Sequence, residues 1–174
     1  MNLNVILAIL GLSLQVFGYL IWFHNIYGFW PTSFSDTFRH WENTPTKSGK
    51  DLDAGYRFTA WVALGILFML PGLLALSSTK LEMIVAYSAL FYLGLVGAYP
   101  SGIDKITTKW HCRFAKACAA LAIIWLLLQH IYVATGIILV ISFIWSRLWQ
   151  RKYETLIMEM AAFIATYVGI LILN

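Results

Sequence analysis

Apolar residues fall into long, nearly uninterrupted blocks along this chain. They cover about Leu3–Trp22, Phe58–Leu76, Glu82–Tyr99, the stretch from His111 to Trp145, and Tyr153–Leu173. A helix needs roughly 20 consecutive apolar residues to cross a bilayer. Each block therefore predicts at least one transmembrane helix. Trp22, Phe23 and Tyr27 close the first block as an interfacial girdle. That block has no basic leader and no small-residue cleavage site, and its apolar core is too long for a signal peptide, so it predicts a retained span. In the second block, Pro71-Gly72 predicts a kink or an early exit. In the last, Ala161, Ala165 and Gly169 put small residues on one stripe suited to close helix packing.

The segment from His111 to Trp145 decides the topology. As one helix, the part from Ala117 to Trp145 would rise about 43 Å, against a hydrocarbon core of about 30 Å. As two helices, the polar pair Gln129-His130 marks a tight reversal, although neither Gly nor Pro stands there. Charge arbitrates. Six spans put 11 of the 12 lysines and arginines on one side, leaving only Lys80 opposite; five spans divide them eight to four. The positive-inside rule favours the stronger asymmetry. The expected fold is all-α, one polytopic transmembrane bundle over residues 1–174, with six spans and five as the alternative. Loops 24–56, 100–110 and 147–152 are predicted cytoplasmic in a multi-pass cell-membrane protein, with both termini outside.

Composition supports this picture. The chain is 60% hydrophobic and only 11% charged, far from a soluble globular domain. Eight Trp, nine Tyr and eleven Phe fit aromatic belts. The net charge of +4 resides in short loops and not along a continuous stripe, so nucleic acid is not an expected partner. Cys112 and Cys118 lie six apart on one predicted helix, facing different ways, and read as ordinary small apolar residues.

Loop 24–56 is the only long polar segment, and a loop of that length is usually functional or mobile. It places Asp36 and His40 on the same predicted side as His111, which sits in a basic collar of Lys105, Lys109, Arg113 and Lys116. Arg57 opens the second span there. Glu159 lies a turn or two inside the last span, where a carboxylate is costly unless partnered. His111, Arg113 and Arg57 are its expected partners. Three readings of this cluster stay open: a structural tie between spans six and four, a headgroup, ion or substrate site, and an acid/base pair. Asp36 also reads as a simple cap or turn former. Gln129 and His130 satisfy the backbone at the reversal or form a pore lining or hinge. His111 and His130 flank the fourth span about 28 Å apart on a helical rise, so they cannot share a metal or haem. Neither a metal site, a cofactor fingerprint nor a catalytic motif is legible.

WPTSFSDT after span one, GLVGAYP at the exit of span three, WHCRFAKACAALAIIWLLLQ and LIMEMAAF together resemble the DRAM/Sfk-like superfamily and related bacterial six-span membrane proteins of unknown function. The resemblance implies a six-helix membrane fold without an assigned reaction, and it carries over Ser35, Asp36, His111, Gln129 and Glu159. The expected function is a non-enzymatic, lipid- or partner-binding membrane regulator. Its partners would be membrane lipids, with a homo-oligomer or a membrane partner beside them. An oligomeric pore or small transporter is one alternative, and a membrane hydrolase using Asp36, His111 and Glu159 is another.

Overall fold

The computed structural model describes residues 2–34, 36–37, 55–99, 104–148 and 153–174. The described residues form six helices: α1 Leu3–Tyr27, α2 Gly55–Leu76, α3 Lys80–Ala98, α4 Lys105–Leu128, α5 Tyr132–Leu148 and α6 Glu154–Leu173. All but α5 are long and apolar enough to cross a membrane. In lipid a backbone must satisfy its polar groups internally, which is why such blocks form helices. The fold is therefore an all-α membrane bundle. Of the loop residues singled out in the sequence, Ser35 and His40 lie outside the described residues, as does the side chain of Arg57.

Helix ends follow local chemistry. Gly28, at φ 85°, closes α1 with its N–H on the His24 carbonyl. The side chain of Asp104 accepts from the N–H groups of Thr107 and Ile106 and caps α4. The Thr107 N–H and hydroxyl lead in holding that carboxyl below its usual range. Pro71 ends nothing, because α2 runs on through it to Leu76.

The reversal at Gln129-His130 is present, and its construction explains how the chain turns without glycine. His130 adopts the left-handed conformation at φ 61°. Its N–H donates to the Leu127 carbonyl and the Ile131 N–H to the Leu126 carbonyl, both at 3.0 Å. These two bonds define a Schellman closure, and buried Leu126 and Ile131 supply its apolar contact. A non-glycine residue in that region carries a steric penalty of about 1–2 kcal/mol. His130→Gly is thus expected to stabilise the protein by about 1 kcal/mol, seen as a higher melting temperature in detergent. His130→Val should lower it.

Tight seams fix the helix order. An added Cβ at Gly11 would come 2.5 Å from Phe68 Cβ, so α1 and α2 meet almost backbone to backbone. Thr59 Oγ1 donates to the Gly97 carbonyl, tying α2 to α3. Ala161, Ala165 and Gly169 of α6 are buried, with Gly169 against Leu126 of α4. Ile131 also lies beside Gly169, and Arg147 pairs with Glu154 at 3.9 Å, so α5 runs antiparallel along α6. Both described termini share one end with the α2–α3 and α4–α5 turns.

Candidate functional site

Between the helices lies a cavity of about 140 Å³, walled by α1, α2, α3, α4 and α6, with α5 outside it. Phe58 and Leu73 both line it. Fifteen residues of α-helix rise about 22 Å, so the cavity is a slot running along the bundle. Ala86 and Ala89 of α3, Ala115, Ala119 and Ala122 of α4, and Ala162 of α6 form much of its wall. Short side chains on facing helices normally let backbones close up. Here they line a groove instead, with Trp125 and Met69 also in its wall.

Most polar groups of the wall gather toward the end that carries Phe34; Thr166, farther along α6, gives its hydroxyl to the Ala162 carbonyl of its own helix. His111 is buried, 3% exposed, and its Nδ1 faces the carbonyls of Tyr99 at 2.7 Å and Val96 at 3.2 Å. Two acceptors on one ring nitrogen require that nitrogen to carry the proton. The imidazole therefore closes the C-terminus of α3. Glu159 lines the same slot, and its Oε2 accepts the Phe34 N–H at 2.7 Å. His111 and Glu159 thus share a cavity wall without a hydrogen bond between them.

The described residues of WPTSFSDT build the turn that carries Phe34. Ser33 Oγ accepts the Asp36 N–H, and the Asp36 carboxylate accepts from the N–H and hydroxyl of Thr32. Thr37 bonds the Phe34 carbonyl and Tyr19 OH, and the Leu156 N–H donates to the Thr32 carbonyl. Asp36 is a turn former here, and its turn lays Phe34 over the slot between α1 and α6. Phe34 meets Phe163 edge-on with ring centroids 5.5 Å apart. Arg113 stands apart: it is exposed, with its guanidinium 4.9 Å from the Trp110 ring centroid.

Deeper in the same half of the slot is a feature the sequence reading passed over. Residues Leu14–Gly18 form one π-helical turn in α1, a device that recurs at functional sites. Gln15 lies in that turn, only 6% exposed, and its Nε2 donates to the carbonyls of Val62 at 3.2 Å and Trp61 at 3.4 Å. Gly65 makes the room, since a Cβ there would come 1.8 Å from the Gln15 amide carbon. The two carbonyl partners fix the amide orientation and leave Oε1 facing away from them. Gln15 Oε1 and Trp61 Nε1 are both buried with no hydrogen-bond partner among the described residues. An unmet buried polar atom costs about 1–3 kcal/mol, so two on one wall call for a reason. A polar amide in the middle of the first apolar block was the available signal.

The opposite end is a latch. Trp125, 2% exposed, donates from Nε1 to Ser77 Oγ at 3.0 Å, and Ser77 Oγ donates to the Leu73 carbonyl. Gln129 Nε2 donates to Glu82 Oε2 at 2.9 Å and to the Leu76 carbonyl at 3.3 Å. Glu82 Oε2 also takes the N–H groups of Ser78 and Thr79, while Thr79 Oγ1 takes the Glu82 N–H. Gln129 therefore binds the α4–α5 turn to the α2–α3 turn. His130 is exposed beside it, with Nδ1 3.1 Å from Tyr132 OH. Glu82 had a legible signal in the Thr-x-x-Glu of a capping box.

No protein-family model matches this sequence, and neither a curated protein nor a solved structure is similar to it.

Proposed function

We propose that this integral membrane protein binds a single-chain amphiphile in the intrabundle slot and acts as a lipid-responsive regulator without catalysing a reaction. The slot carries the reading: it is elongated and largely apolar over its far half, where Met69, Leu73, Ala86, Leu90 and Trp125 line it. Ligand sites are commonly apolar clefts with a few placed polar groups. A cavity near 150 Å³ lined by apolar side chains takes a guest of about benzene's size, which here is room for the head and the first carbons of a chain. The half near loop 24–56 adds Gln15, His111 and Glu159, so the slot is itself amphipathic. A pore would instead need polar groups along its whole length. On the charge bias of the loops, the polar half faces the cytoplasm.

The test fills the slot. Ala119→Leu adds bulk to its middle without touching a hydrogen bond. Native mass spectrometry of detergent-purified protein is expected to show loss of the retained amphiphile, with the melting temperature held or raised as in other cavity-filling changes. The same amphiphile retained at the same occupancy would overturn the proposal.

A further inference from the structure

Taking the slot as an amphiphile site, we infer that its ligand carries an uncharged head that both donates and accepts a hydrogen bond, a long-chain alcohol or primary amide, held between Gln15 and Trp61. Gln15 Oε1 is an acceptor seeking a donor, and Trp61 Nε1 is a donor seeking an acceptor. A hydroxyl or amide answers both at once. Both residues line the slot in the half that also holds His111 and Glu159, with the apolar half beyond for the chain.

Charge excludes the commoner lipid heads. Neither Lys nor Arg lines the slot among the described residues, so an anionic head would meet no cationic side chain there. The proton-bearing Nδ1 of His111 is committed to the Tyr99 and Val96 carbonyls. A carboxylate or phosphate head would therefore be buried without a cationic partner, which is strongly unfavourable. An ammonium head would leave the Trp61 donor unmet, since a cation offers it no lone pair. The local build points to purpose: a π-turn presents Gln15, and Gly65 is notched to receive it.

The experiment uses the full chain in detergent and a photoreactive hexadecanol probe, with hexadecanol, hexadecanamide, hexadecanoate and hexadecylammonium as competitors. Labelling should map to slot residues, and the alcohol and amide should compete at least tenfold better than either ion. Trp61→Phe keeps an aromatic ring beside Tyr19 and removes the donor, and Gln15→Leu removes the acceptor together with the Nε2 donor. Each is expected to weaken alcohol binding about tenfold, equivalent to about 1.4 kcal/mol, while labelling through the chain persists. If an ion competes as well as the alcohol, or the preference survives both variants, the head assignment is wrong and the slot reading stands. If no probe labels the slot with any head, the slot reading itself falls.

Discussion

Gly72→Leu is expected to lower the stability of the bundle by about 3 kcal/mol or more, the upper range for overpacking. The reason is that α1 and α2 touch through their backbones at this point. A Cβ on Gly72 would stand 2.4 Å from Ala8 Cβ and 2.5 Å from the Asn4 carbonyl oxygen. Neither atom belongs to a flexible side-chain tip, so the clash is relieved only by moving one helix off the other. That movement also strains the Gly11–Phe68 contact one step along the seam. Inside a bilayer such close packing is a principal source of helix association, because lipid tails are as apolar as the side chains themselves. Thermal unfolding in a mild detergent reads the effect. Gly136, which has no neighbour within 4 Å for an added Cβ, serves as control: Gly136→Ala should leave the melting temperature unchanged or raise it. Equal behaviour of the two variants would refute the seam.

The second large effect is expected at Trp125. Trp125→Ala should destabilise by about 3–5 kcal/mol, the range for deleting a buried Trp or Phe. The indole is among the largest fully buried side chains, and it lines the slot at the latch end. Its Nε1 also reaches across to Ser77, so truncation removes both packing and a link between α4 and the α2–α3 turn. Trp125→Phe separates the two contributions. It keeps most of the ring and loses one hydrogen bond, and Ser77 still has the Leu73 carbonyl. A loss of about 1 kcal/mol is expected for it. A phenylalanine variant as unstable as the alanine variant would mean that the Ser77 bond, and not the ring, holds this end together.

The architecture was legible because bilayer physics writes it in composition and block length. The charge comparison found the fold-back at Gln129-His130, and it did so where turn chemistry gave no help, since His130 occupies a site that glycine usually fills. Pro71 pointed to an exit that α2 does not take, because a membrane helix can absorb a proline without ending. The candidate site was legible only in part. Glu159 and His111 stood out as polar residues in apolar blocks, and they do share one cavity. Their partners did not follow from type: Glu159 receives a backbone N–H from Phe34, and His111 bonds the carbonyls ending α3. Charge complementarity named Arg113 for Glu159, yet a long cationic side chain at the membrane edge does better extended toward water and over Trp110. Gln15 was missed because its meaning depends on a π-turn and on Gly65 opposite it, neither of which leaves a local pattern in the sequence.

The latch has a kinetic consequence. With Gln129 anchored to Glu82 and Leu76, and Trp125 to Ser77, breathing of the bundle at that end must break several bonds together. At the other end the described residues of the Phe34 turn are tied to the helices by the Phe34 N–H on Glu159, the Leu156 N–H on the Thr32 carbonyl and the Thr37–Tyr19 contact. On the slot reading, a guest could leave by either end only when several of these bonds break together, so its exchange would be slow.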